Sequence, residues 1–228
     1  REDIVGIFEE KLSEEYRVQY KKNGDSHFSS AVELREFFED GVNIINYLKK
    51  NRGKYFSRKS THLAGCEVPI IITPNKRYTN VVYQGYLDVV LYHEYSDTFT
   101  IIDIKTSTKG WSKWAKKDED KQFQLILYKK FFSETFNIPL EKINIEFFIV
   151  KRKLWESEDY VIPRIQRFVP ASGKVKLNKA TKALDEFITK VFDRNGYADV
   201  DHQPTPDNPN NNCNWCAFYK THLCSATF

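Results

Sequence analysis

The sequence predicts an α/β fold in which helices flank a central mixed sheet. Apolar side chains recur at helical spacing through the first 60 residues, and from residue 66 the pattern changes to short runs rich in β-branched and aromatic residues. Another helical segment and further strand-like runs follow. A chain of 228 residues can bury one substantial core, so one compact domain with appendages is the default expectation.

The helical N-terminal region contains two amphipathic segments. The first covers residues 4–20 and ends before Asn23-Gly24-Asp25, which breaks the chain. The second begins near Ser29, with Ser30 as its N-cap, and ends at Asn51-Arg52-Gly53.

The sheet-forming region begins with three short runs bounded by turn formers, for which a meander is the simplest arrangement. The predicted elements are, in order, strands over 66–73, 83–92 and 99–105, a helix over 119–136, strands over 143–150 and 161–169, and a helix over 178–192 capped by Asn178. We expect one main domain over 1–200, divided into a helical segment over 1–60 and a core over 61–150, and a linker with a cysteine-bearing tail over 201–228.

Composition is that of a folded protein, with 41% apolar and 15% aromatic residues. Thirty-five basic and 31 acidic residues give a net charge of +4, so a nucleic-acid interface has to come from local patches. No run approaches the roughly 18 apolar residues of a membrane span, and no secretory leader is visible. We therefore expect a cytoplasmic protein that binds no membrane.

The chemistry is predicted on the second and third strands. Asp88 lies within one strand, and Asp103 and Lys105 lie at the end of the next, on one face because strand side chains alternate. Two converging carboxylates repel each other unless a cation lies between them, and Mg²⁺ or Mn²⁺ fits, with the backbone carbonyl of Ile104 as a third ligand. The alternative is two strand-end aspartates with an ordinary ion-pair lysine. The ordered set on adjacent strands favours the metal site.

This pattern resembles the PD-(D/E)xK nuclease superfamily and its RecB-like branch, which includes helicase-associated, CRISPR-associated, phage and mitochondrial nucleases. The matching residues are Glu67, Asp88, Asp103, Lys105, Gln124 and Tyr128. The resemblance implies that both aspartates ligate the metal, that Glu67 supports it and that Lys105 is the catalytic lysine. It implies that Gln124 and Tyr128, a Q-x3-Y motif, reach the active site from one helix face.

The resemblance also implies a restriction-endonuclease-like αβββαβ core and a metal-dependent DNA nuclease. We expect an exonuclease acting on DNA ends or single strands in replication, recombination or repair, with a helicase or recombination protein as a partner and the host cytoplasm as its location if phage-encoded. An endonuclease, a nuclease acting on RNA, and a DNA-binding or assembly module without turnover are the rivals. Leu87 stands where the family signature has proline, and His27 or His62 is the candidate for the family's upstream active-site histidine.

An aromatic and basic stretch follows the catalytic strand directly. Trp111, Lys113, Trp114 and Lys116 are interleaved there, as in surfaces that stack on bases and contact phosphates. The alternative is a packed loop with a solvated basic rim. The run Lys151-Arg152-Lys153 either extends this track or is ordinary surface.

The C-terminal tail carries Cys213, Cys216 and Cys224, with His222 between the last two. A C-x2-C pair has good metal-binding spacing. Some RecB-like nucleases hold a [4Fe-4S] cluster with three C-terminal cysteines and one distant N-terminal cysteine, a position that Cys66 does not match. Zn²⁺ bound by the three tail cysteines and His222 is the alternative, and a tail without metal is another. The expected role of a metal is structural.

Overall fold

The computed structural model describes residues 3–56, 59–154, 162–198 and 221. The helices and strands are α1 Ile4–Lys22, α2 Ala31–Tyr55, β1 Thr61–Ile72, β2 Tyr83–His93, β3 Thr98–Ser107, α3 Lys113–Lys117, α4 Glu119–Phe136, β4 Ile143–Lys151, β5 Ile165–Phe168 and α5 Lys174–Val191. No helix among these residues is long and apolar enough to cross a membrane.

The central sheet is mixed, with the strand order β1-β2-β3-β4-β5. β2 and β3 pair antiparallel, β3 and β4 pair parallel, and β4 and β5 pair antiparallel. The parallel step needs a crossover, which the chain makes through α3 and α4. The predicted α/β class, with a mixed sheet flanked by helices, is confirmed.

The chain divides into two compact units. The first contains residues 1–70 and 85–177, and with them most of the sheet. The second contains residues 71–84 and 178–228; within it Asn80 donates to the carbonyl of Asn195 at 2.9 Å. The domain boundary near residue 200 stays a prediction, since 199–220 lie outside the described residues.

One face of the sheet packs against α2. This helix begins with a capping box, in which Ser30 accepts from the Glu33 N–H and the Glu33 side chain accepts from the Ser30 N–H. Its apolar stripe, including Leu48, lies on a buried cluster that contains Ile102 and Phe148. This cluster therefore joins α2 to the sheet.

The other face of the sheet packs against α4. Leu125, Ile126 and Phe131 of this helix are almost fully buried. The helix ends at Asn137, which adopts the left-handed conformation (φ 54°) that commonly terminates helices. The helix bounds were predicted correctly at both ends, because its apolar pattern is long and its turn signals are clear.

Several element boundaries were wrong. β5 covers Ile165–Phe168 rather than 161–169, and Pro163, which cannot donate a ladder hydrogen bond, lies before its start. β1 begins at Thr61 rather than residue 66, because its first residues are mostly exposed and lack an apolar pattern. α2 continues through Gly53 to Tyr55. The predicted cap Asn178 lies inside α5, which begins at Lys174; the carbonyl of Gly173 accepts from the Leu177 N–H and starts that helix.

Candidate active site

The two aspartates meet where β2 and β3 separate. The antiparallel ladder runs from His93 and Thr98 to Val89 and Ile102 and ends there. One place further, Asp88 lies opposite Asp103, and Asp88 Oδ2 accepts the backbone N–H of Ile104 at 2.6 Å. The Asp88 carboxylate thus accepts an N–H that would otherwise donate to a backbone carbonyl of the neighbouring strand. This hydrogen bond holds Asp88 against β3.

Asp103 is a buried carboxylate beside a lysine. Its side chain is 5% exposed, and Lys105 Nζ lies 2.8 Å from its Oδ2 on the same strand face. This contact is an ion pair that falls short of hydrogen-bond geometry, so Oδ2 has no hydrogen-bond donor among the described residues. Burial raises the pKa of Asp103, the Lys105 ammonium opposes that rise, and the charge of Asp88 adds to it.

Lys105 is also held by α4. Its Nζ donates to Gln124 Oε1 at 3.2 Å, and Gln124 Nε2 donates to the Tyr128 hydroxyl at 3.0 Å. Gln124 and Tyr128 are four residues apart and therefore share one helix face. A continuous polar chain thus runs from the buried Tyr128 to the ammonium of Lys105 and on to Asp103.

Gly85 on β2 makes room for the Tyr128 ring. A Cβ added to Gly85 would lie 2.6 Å from Cε1 and 2.9 Å from the hydroxyl oxygen of Tyr128, closer than real Cβ contacts come. Our sequence prediction missed this role of Gly85. The available signal was a glycine inside a strand pattern, which often marks a close approach by another group.

The donor set fits a hard divalent cation, although it is smaller than predicted. Asp88 and Asp103 supply two interacting carboxylates. Burial and the charge of Asp88 raise the pKa of Asp103 because both disfavour its ionised form, and a bound cation would stabilise that form. Within the described residues, no group of three or more His, Cys, Asp or Glu side chains is arranged to hold a metal. Glu67 is exposed on β1 at a positive φ of 49° and is not brought into such a group.

Both candidate histidines contact other residues. Nδ1 of His27 lies 2.8 Å from the Tyr16 hydroxyl, in the aromatic cluster where α1 meets the start of α2. Nε2 of His62 lies 3.1 Å from Glu94 Oε2. Neither contact joins these histidines to the aspartates of β2 and β3.

The aromatic stretch after β3 divides into a partly buried and an exposed portion. The Trp111 ring lies 5.0 Å, between centroids, from Phe147, whereas Trp114 is 80% exposed. Lys113 is exposed at the start of α3, and Lys116 Nζ lies 5.8 Å from the centroid of the Phe168 ring. Trp111 and Lys116 therefore contact the protein's own aromatic residues.

The basic run 151–153 is largely neutralised by α2. Arg152 Nε lies 3.3 Å from Asp40 Oδ2, and Lys153 Nζ lies 3.1 Å from Glu36 Oε2. These pairs favour a role in attaching the end of β4 to α2, and they give no support to an extension of the basic track.

The tail prediction lies outside the described residues. Cys213, Cys216, His222 and Cys224 all fall there, so their metal binding stays a prediction. Cys66 is described and is an exposed free thiol.

A family comparison identifies the class of protein that this arrangement defines. The sequence model of the PD-(D/E)XK nuclease superfamily matches residues 10–221, which is most of the chain. The chain therefore belongs to the PD-(D/E)XK nuclease superfamily, as its motifs and its sheet predicted. A search of curated proteins gave no match.

Proposed function

We propose that this protein is a divalent-metal-dependent deoxyribonuclease of the RecB-like branch, an exonuclease that acts on DNA ends or single strands. The observation that carries the proposal is the joint placement of Asp88, Asp103 and Lys105 where β2 and β3 separate. Membership of the nuclease superfamily supports the reaction class, phosphodiester hydrolysis. Replication, recombination or repair is the proposed process, and a helicase or recombination protein a proposed partner.

Asp88 and Asp103 would hold Mg²⁺ or Mn²⁺ with the backbone carbonyl of Ile104. When bound, the ion supplies Lewis-acid stabilisation of the phosphate and lowers the pKa of a coordinated water. Asp88 is already held against β3 by the Ile104 N–H, so its carboxylate does not have to be ordered when the ion binds. Glu67 is proposed as a supporting residue that joins the site when the ion is bound.

Lys105 would act at the phosphate or at the attacking water. Its Nζ is fixed between Asp103 Oδ2 and Gln124 Oε1, so the ammonium does not have to be ordered when DNA binds. A preorganised ammonium stabilises negative charge that develops on the phosphate oxygens, or holds and transfers a proton at Nζ. Gln124, which donates to the Tyr128 hydroxyl, positions the Lys105 ammonium from α4.

We further propose that the tail binds a structural metal, a [4Fe-4S] cluster or Zn²⁺, through Cys213, Cys216 and Cys224, with His222 as the alternative fourth ligand. The C-x2-C spacing supports this proposal. Such a metal would stabilise the tail and take no part in hydrolysis.

The test is cleavage of 5′-labelled and 3′-labelled single-stranded DNA with Mg²⁺, Mn²⁺ or EDTA, using the wild type and Lys105→Ala. We expect metal-dependent product ladders that fall by about 100-fold or more in Lys105→Ala, because a preorganised cation is lost. Lys130→Ala is the matched control, since Lys130 lies on α4 and pairs with Glu134. Asp88→Asn keeps an oxygen for the Ile104 N–H while removing the charge, and we expect it to be inactive.

Circular DNA, linear duplex and RNA substrates separate the rival activities. Cleavage of a circle identifies an endonuclease, and cleavage of RNA alone identifies a ribonuclease. If the wild type binds DNA but cleaves no substrate with either metal, the protein is a binding module and the proposal is wrong.

A further inference from the structure

A separate surface lies beyond the catalytic strand, on α3. Trp114 is 80% exposed, Lys117 Nζ lies 5.4 Å from the centroid of its ring, and Lys113 is exposed on the same short helix. We call these three residues the Trp114 face. Only five residues, 108–112, separate α3 from the end of β3, the strand that carries Asp103 and Lys105.

The loop that carries this face is firmly anchored. The Gln166 side chain on β5 accepts the Trp111 N–H at 2.7 Å and donates to the Trp111 carbonyl at 3.0 Å. Ser107 Oγ accepts the Gly110 N–H at 3.0 Å, and Ser112 caps α3 by accepting the Ala115 N–H at 3.1 Å. The exposure of Trp114 is therefore fixed by its surroundings and does not come from a loose loop.

The charges beside Trp114 are available to a ligand. The next carboxylates along the chain, Asp118 and Glu119, pair with Lys121 and Lys176. Lys113 and Lys117 form no ion pair with a described carboxylate. An aromatic face with two unneutralised ammonium groups is complementary to a nucleobase with its flanking phosphates.

Exposure of an aromatic residue is not enough by itself to indicate such a ligand. Tyr95 is 94% exposed in the turn before β3, at the end of that strand away from Lys105. Its neighbours in sequence include Glu94, which lies 3.1 Å from His62 Nε2, and Asp97, which pairs with Lys142. Tyr95 therefore serves as a matched control with similar exposure and with paired charges beside it in place of the two lysines beside Trp114.

We propose that Trp114 stacks on an unpaired base of single-stranded DNA while Lys113 and Lys117 contact the adjacent phosphates. The proposal rests on the proposed nuclease function and specifies its substrate as a single strand, since only an unstacked base can offer its π-face to the ring. Trp111, which shares the motif, is a structural anchor without a place in this contact.

The test is binding of a labelled oligothymidylate in EDTA, measured by fluorescence anisotropy with the full chain. Base–aromatic stacking predicts that Trp114→Ala weakens binding about 5- to 150-fold, whereas Trp114→Phe retains most of it. Tyr95→Ala should bind like the wild type. Log affinity falls linearly as log salt rises, and Lys113→Ala should make this slope less steep by about 0.7, the value for one phosphate contact on a single strand.

A blunt duplex of the same length is the second ligand. Its bases are stacked and paired, so Trp114→Ala should leave duplex affinity unchanged. Equal loss on single strand and duplex, or no loss on the single strand, overturns the stacking proposal. If the protein binds an acidic peptide more tightly than the oligonucleotide, the Trp114 face binds a protein partner and the stacking proposal is wrong.

Binding in EDTA requires no turnover, so the two proposals fail separately. If Lys105→Ala abolishes cleavage and Trp114→Ala binds normally, the nuclease proposal holds and the proposal for the Trp114 face is wrong. If Trp114→Ala loses binding and the wild type cleaves nothing, the proposal for the Trp114 face holds and the nuclease proposal is wrong.

Discussion

Gly85→Ala is expected to impair catalysis from outside the reacting groups. The new Cβ would lie 2.6 Å from Cε1 of Tyr128, where ordinary contacts begin at 3.4 Å, so the ring or the strand has to move by close to 1 Å. Tyr128 is 5% exposed, so its ring is enclosed by other residues of the protein. Overpacking of this kind costs about 1–3 kcal/mol of unfolding free energy.

The displacement reaches Lys105 through the polar chain. Moving the Tyr128 hydroxyl breaks its 3.0 Å contact with Gln124, the residue that holds Lys105 Nζ. A misplacement of about 1 Å near the reacting atoms reduces rates by up to about 100-fold. We therefore expect kcat for single-stranded DNA to fall about 10- to 100-fold, with DNA affinity in EDTA unchanged.

The assay is steady-state cleavage combined with a double-mutant cycle. In a Tyr128→Ala background, where the ring is absent, Gly85→Ala should have no further effect on kcat. In a Tyr128→Phe background the ring remains but the hydroxyl is gone, so Gly85→Ala should still lower the Tm while adding little further loss of kcat. Gly173→Ala is the control, since a Cβ there meets nothing within 4 Å. Wild-type kcat in Gly85→Ala, or a full further loss of kcat in the Tyr128→Ala background, would refute the reasoning.

Three further predictions concern stability and the tail. Because burial raises the pKa of Asp103 above its ordinary 3.8, ionising it costs folding free energy that is absent at low pH and grows as pH rises through the raised pKa. Asp103→Asn should therefore raise the Tm in EDTA at neutral pH, with the difference shrinking as the buffer approaches pH 4; a lower Tm at neutral pH contradicts this. Arg167→Ala leaves the buried Glu146 unpaired and should lower the free energy of unfolding, measured in urea, by about 3 kcal/mol. This is the low end for such pairs, because Arg167 is half exposed. Adding Glu146→Gln to the same variant removes the unpaired charge and should restore most of the loss. Purified protein should contain iron with sulfide, or zinc, in stoichiometric amount by elemental analysis, and Cys216→Ser should lose it; metal-free wild type with normal activity refutes the tail proposal.

Local pattern predicted most elements of the fold and the catalytic strand. Alternation along β3 was sufficient to place Asp103 and Lys105 on one face, since the strand period is two whatever the surroundings. The bounds of α4 followed from its long apolar pattern. The start of β1 did not follow, because residues exposed along that end of the strand carry no periodic apolar signal.

Contacts between distant residues decided what the sequence could not. Trp111 and Trp114 look alike in the motif, and the side chain that anchors Trp111 is Gln166, 55 residues away. The carboxylate that neutralises Lys153 is Glu36, 117 residues earlier in the chain. A basic or aromatic motif therefore reveals its exposed members only when its partners in other elements are known.

The formal charges of Asp88, Asp103 and Lys105 sum to −1. In the proposed enzyme this charge makes phosphate binding at the site depend on a bound cation. Before a cation binds, the site repels phosphate; a divalent ion changes the sum to +1 and reverses the sign of the field. Binding of ion and DNA is then positively coupled, and by thermodynamic reciprocity DNA must strengthen ion binding by the same factor. The ion-free protein should therefore bind DNA more weakly than the ion-loaded protein, and the binding that remains in EDTA should come from contacts outside the centre.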